Sequence, residues 1–106
     1  MPFIKLDQVA ERELVAGFRA RFVHGERMTV GQFRILAGST LPAHSHPHEQ
    51  ITTVVEGRLE FTLGGETTIL QPGVVAVIPP NALHSGKALT DCLAVDVFCP
   101  VREDYR

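Results

Sequence analysis

The stretch LPAHSHPHEQITTVVEG (41–57) holds three of the chain's five histidines and decides how the rest is read. In an extended segment successive side chains alternate faces, so His44 and His46 point the same way with Cα atoms about 6.5 to 7 Å apart. Two imidazoles placed so can meet one ion. Gln50 keeps their parity and offers a side-chain oxygen to the same point, whereas Ser45, Pro47 and Glu49 have the opposite parity. A further ligand must come from elsewhere, and His24, His48 and His84 are the remaining histidines. His84 follows Pro79-Pro80-Asn81-Ala82-Leu83, a stiff turn able to deliver it to another strand.

Outward from this stretch the chain reads as strands and turns. Segments 14–23, 28–37, 51–57, 59–63, 67–70, 74–78 and 92–98 are short and rich in Val, Ile, Thr and Phe. Between them, His24-Gly25, Gly64-Gly65, Gln71-Pro72-Gly73 and Pro79-Pro80-Asn81 mark reversals, because Gly supplies positive φ and Pro fixes φ near about −65°. Asp7 to Ala16 allows at most a turn or two of helix, on the spacing of Val9, Ala10 and Leu14. The pattern predicts one all-β domain spanning 1–106, a sandwich or a barrel.

Composition sets the limits. With 44% hydrophobic and 21% charged residues over 106 positions, the chain is expected to fold as a single globular unit. Ten basic and twelve acidic side chains, without runs of one sign, argue against nucleic acid as a partner. No apolar run approaches the ~20 residues of a membrane span, and the N-terminus lacks the order of a signal peptide, so a cytoplasmic protein with no membrane partner is expected. Cys92 and Cys99 would lie on opposite faces of one strand, about 23 Å apart at ~3.3 Å per residue. Free thiols are expected.

Two spacings make a family resemblance specific. Gly38, five residues, His44-x-His46, three residues, Gln50, six residues and Gly57 resemble the first motif of the cupin superfamily, with Gln where Glu is usual. Gly73, five residues, Pro79-x-Asn81, two residues and His84 resemble its second motif, with Asn for the middle Gly. From the start of the first motif to the end of the second, residues 38–84, the resemblance spans a little under half the chain. The resemblance implies a small jelly-roll barrel of two antiparallel sheets. It also implies one divalent transition metal on His44, His46, Gln50 and His84, and frequent homodimers. Nickel, zinc, manganese, cobalt and iron all suit such a donor set.

Gln50 changes the charge of that site. Three neutral imidazoles and an amide leave a divalent ion at its full charge, which favours an anionic oxygen ligand and Lewis-acid chemistry over the oxidised states an oxygenase needs.

The C-terminal segment 96–105 adds a second clue. Asp96 and Phe98 share one face of the last strand, with Val95 and Val97 on the other. An interior Asp96 would be fitted for proton transfer, Phe98 would form an apolar wall, and Arg102 could curl over the mouth and clamp a carboxylate with its fork. HSHPHEQ with the terminal Asp-x-Phe-x-Pro-x-Arg-Glu-Asp-Tyr resembles the KdgF family of pectin- and alginate-degradation cupins. Its members linearise 4,5-unsaturated uronates. That resemblance implies Asp96 as catalytic residue, Phe98 and Arg102 as substrate-binding residues, and a small anionic sugar substrate.

Plainer readings stand beside these. Asp96 could be a paired strand acid, Phe98 a core aromatic and Arg102 a solvated tail residue. His24 and His48 read as surface residues. The rival functions are a non-catalytic sugar-acid-binding cupin, disfavoured by the lack of a DNA-binding domain, and a metal-dependent cupin dioxygenase, disfavoured by Gln50.

Overall fold

Turn residues cut the chain into ten strands in the computed structural model, which describes residues 2–106. They are β1 (Arg12–Val15), β2 (Phe18–His24), β3 (Thr29–Ile35), β4 (Thr40–His44), β5 (Glu49–Glu56), β6 (Leu59–Leu63), β7 (Glu66–Leu70), β8 (Val75–Ile78), β9 (His84–Ala88) and β10 (Cys92–Cys99). A six-stranded sheet runs β1-β2-β3-β10-β5-β8 and a four-stranded sheet runs β4-β9-β6-β7. Every pairing is antiparallel.

The period of two builds the core. In β10, Cys92, Ala94, Asp96 and Phe98 are buried while Leu93, Val95 and Val97 are only partly covered. The buried set joins Phe18, Phe22, Phe33, Phe61 and Ile78 between the sheets. Fully burying each such side chain contributes about 1.5–3 kcal/mol, which makes this interior the main stabilising term. Cys92 is buried and Cys99 exposed, and both are free thiols. Among the described residues no helix is long and apolar enough to cross a membrane.

Segment 14–23, expected as one strand, is split. Gly17 adopts φ +84° and turns the chain between β1 and β2, which then pair with each other. The helix considered over Asp7–Ala16 shrinks to a single 3-10 turn, Leu6–Gln8, because Arg12–Val15 goes to the sheet edge instead. Strands β4 and β9 fall outside the expected segments. TLPAH and HSGKA carry little intrinsic strand preference, and each is held by its pairing. Pro42 is tolerated because β4 lies at the edge of its sheet.

The motif glycine Gly57 closes the turn from β5 to β6 at φ +92°. A Cβ there would sit 2.2 Å from the Asp91 carbonyl oxygen, a backbone atom that cannot swing aside. Gly57→Ala is therefore expected to cost about 2 kcal/mol or more of stability, read from the shift of the urea denaturation midpoint.

Candidate metal centre and its pocket

Both halves of the site come from where the two sheets face each other. His44 ends β4, and its cross-strand partner is His84, which begins β9. Their ring centroids are 4.2 Å apart. Residues 45–48 then cross to the large sheet, carrying His46, whose ring lies 5.0 Å from His84 and 5.8 Å from His44. Asn81 secures this crossing from the second motif, its N–H donating to the His46 carbonyl at 2.8 Å. It does so at φ +66°, a left-handed conformation that Asn enters more readily than most residues, which accounts for Asn in place of the usual Gly.

Backbone carbonyls set the imidazoles. Nδ1 of His44, His46 and His84 lies 2.8, 3.0 and 2.9 Å from the carbonyls of Pro42, His48 and Ala82. A carbonyl only accepts, so each Nδ1 carries the proton and each Nε2 keeps its lone pair. One ligand atom from each of the three rings lies within 4.8 Å of the others. Burial pushes His46 and His84 below the ordinary histidine pKa, with the Arg102 charge adding to the effect. His46 and His84 are accordingly neutral ligands.

Gln50 completes the set. It is the second residue of β5 and is buried, with its Nε2 donating to Thr52 Oγ1 at 2.9 Å and to Asp96 Oδ2 at 3.1 Å. Two acceptors on the amide nitrogen fix which way the amide faces, so its oxygen points at His46 Nε2, 2.9 Å away. Two lone pairs thus face each other with no proton between them. His84 Nε2 is likewise buried with no partner among the described residues. A divalent cation resolves both conflicts, and the nitrogen-and-oxygen donor set suits a transition metal.

Behind the donors lies a cavity of about 60 Å³, lined also by Asp96, Phe98, Arg102 and Tyr105. Its size suits an ion with a few ligand atoms, so a monosaccharide would enter with its reacting end only. Asp96 stands opposite Thr52 on β5. Burial pushes its carboxyl up to about 7, against smaller lowering by the Thr52 hydroxyl and the Arg102 charge. Its Oδ1 is buried without a partner among the described residues. Phe98 sits 5.9 Å from the His46 ring.

Arg102 is at the pocket, as the sequence suggested, but its guanidinium is already paired with Asp104 through Nε and Nη2 at 3.0 and 2.7 Å. His24 and His48 are not simple surface residues. His24 is half-buried and bonds the Thr29 hydroxyl and the Tyr105 carbonyl, while His48 is half-buried with a buried Nδ1. Asp104 and Tyr105 stood in the terminal motif but received no role of their own from the sequence, because their contacts depend on how the terminal segment folds back.

Comparison with known proteins follows the same line. Residues 31–98 match the cupin domain. The chain belongs to the cupin family. An uncharacterized protein of Streptomyces coelicolor, SCO3923, is 32% identical to this cupin over 102 residues, covering 94% of it and 97% of the relative. KdgF from Halomonas sp. superposes with a TM-score of 0.92 at 28% identity, covering all of this chain and 99% of that one. An RmlC-like cupin from Shewanella frigidimarina superposes at 0.93 with 23% identity, covering 100% and 96% of the two chains, and shows the shared fold.

Two outcomes follow. The purified cupin is expected to take up one divalent transition metal per chain, and His84→Ala to lower its affinity more than about 100-fold, measured by competitive chelator titration. The metal-free protein has a second signature in Asp96. An unfolded carboxyl releases its proton near 3.8 and this one near 7, so between those values the native state holds the extra proton. Rising pH across that window therefore disfavours folding, by on the order of 2–4 kcal/mol. Asp96→Asn removes this contribution, and the wild-type-minus-variant difference in unfolding free energy, followed from pH 4 to pH 8, is expected to show it.

Proposed function

We propose that this cupin linearises 4,5-unsaturated uronate monosaccharides, an isomerase-type ring opening and ketonisation. The observation that carries the reading is Asp96. Its carboxyl lies beside a three-histidine pocket, with one oxygen held by Gln50 and the other unpaired, and with proton affinity poised near neutrality. The likeness to KdgF over the whole chain supports it.

In the ring form of such a sugar, C1 is a hemiacetal carbon and the ring oxygen is the enol-ether oxygen on C5. Asp96 Oδ1 accepts the proton of the C1 hydroxyl as the bond from C1 to the ring oxygen breaks, leaving an aldehyde at C1. The electron pair of that bond becomes an enolate across C4 and C5. Asp96 then returns its proton to C4, giving the 5-keto acid. No atom is gained or lost. Burial raises the proton affinity of this carboxyl, which suits it to act as base and then as acid.

A divalent metal on His44, His46, Gln50 and His84 would supply Lewis-acid stabilisation of oxygen charge developed in the reaction. Gln50, held by Thr52 and Asp96, would keep its neutral oxygen on that ion and so preserve the full positive charge of the site. Phe98 excludes water from the pocket wall, and Arg102 meets the sugar carboxylate.

The test is loss of the ultraviolet absorbance of the conjugated C4=C5 carboxylate when the protein is added to freshly lyase-generated unsaturated monouronate. Faster-than-spontaneous loss, abolished by a chelator, is expected. Asp96→Asn is expected to lower kcat by about 10²- to 10⁴-fold while metal content stays at the wild-type level. A spontaneous rate with metal bound would refute the reading and favour a binding protein, and oxygen consumption by the iron-loaded protein would favour a dioxygenase.

A further inference from the structure

We propose that Asp104 is a positioning residue that makes Arg102 a carboxylate receptor, gripping one edge of the guanidinium so that the opposite edge faces the pocket. The inference rests on the reading of Arg102 as the group that meets a sugar carboxylate, and extends it to a residue outside the pocket.

The guanidinium is fixed in plane and in rotation. Its plane is held by aromatic rings, with its central carbon 4.8 Å from the Phe98 centroid and 4.1 Å from that of Tyr105. Its rotation within that plane is set by Asp104, whose two oxygens accept from Nε and Nη2. Arg102 lines the cavity and Asp104 does not. The exposures agree, with 7% of the Arg102 side chain accessible and 54% of that of Asp104. The carboxylate therefore grips the cation from the solvent side.

What remains free is determined by the fork. A guanidinium carries five N–H donors in one plane. Asp104 takes Nε–H and one Nη2–H, leaving the second Nη2–H and both on Nη1, with the Tyr105 hydroxyl the other hydrogen-bonding group beside the cation. That end can accept a second carboxylate in the bidentate manner. Without Asp104 the guanidinium could slide or rotate between the rings, and its free end would no longer be aimed.

Other contacts keep the segment in place independently of Asp104. The Arg102 N–H donates to Thr29 Oγ1 at 2.8 Å, Arg12 Nη1 donates to the Tyr105 carbonyl at 2.6 Å, and the Tyr105 ring stacks on Phe22 at 4.3 Å. Removing one half-exposed carboxylate should leave that framework standing, so the variant reports on aim rather than on folding.

The sign of the effect separates aiming from simple charge balance. If Asp104 only neutralises Arg102, deleting its charge leaves the pocket more positive and tightens anion binding. If it aims Arg102, deletion weakens anion binding. The experiment is calorimetric titration of the metal-loaded protein with galacturonate and with its neutral methyl ester, on wild type, Asp104→Asn, Asp104→Ser and Asp104→Glu. Wild type is expected to prefer the acid. The Asn and Ser variants are expected to lose roughly ten-fold in affinity for the acid and little for the ester, with metal content and thermal midpoint unchanged, and Glu to restore much of the loss. Unchanged or tighter binding of the acid by both Asn and Ser, with wild-type preference intact, would overturn the role of Asp104 alone. A wild type that shows no preference for the acid over its ester would overturn both this inference and the reading of Arg102.

Discussion

Three backbone carbonyls govern the chemistry of this pocket. Those of Pro42, His48 and Ala82 each take the Nδ1 proton of one imidazole, which commits three Nε2 lone pairs to a common centre. Each carbonyl lies two residues from the histidine it orients, so local chain direction at the end of β4, in the crossing and at the start of β9 sets the ligand geometry. Asn81 and the pairing of His44 with His84 hold those three pieces together. The rest of the barrel supplies the rigidity that keeps the lone pairs aimed at one another without a proton between them.

A second constraint couples the metal position to the proton position. Gln50 gives its oxygen to the metal side and its nitrogen to Asp96, so the same amide orients a ligand and occupies one oxygen of the acid. A glutamate there would set a second buried carboxyl against Asp96, raising the cost of ionising either. Gln at this position is thus compatible with an interior acid that exchanges a proton, as the proposed reaction requires. The function proposed for the pocket follows from this coupling of an electrophilic centre to a carboxyl with one free oxygen.

Much of this was legible in the sequence, for identifiable reasons. Buried strands announced themselves through alternation, so Asp96 and Phe98 share one face of β10 as their parity required, and the structure makes that face the interior one. His44, His46, Gln50 and His84 also converge, but by a different route from the one the parity suggested. No continuous strand carries His44 to Gln50, since the chain leaves the small sheet after His44 and enters the large one at Glu49. The edge strand β4, the short β9 and the turn at Gly17 were hidden because TLPAH, HSGKA and VAGF hold little local preference and are decided by pairing. The brace of Asp104 on Arg102 was invisible for a related reason. Two residues of opposite charge near a terminus read as solvated until the segment is seen lying against Phe22 and Thr29.

The most direct test of the central claim is to run the reaction on unsaturated monouronate in deuterium oxide and examine C4 of the newly formed 5-keto acid by NMR at early times. Delivery from Asp96, fixed on one wall of the pocket, predicts a single deuterium at C4 in one configuration, formed faster than the spontaneous reaction. Equal amounts of both configurations, or a rate no greater than in the absence of protein, would contradict it.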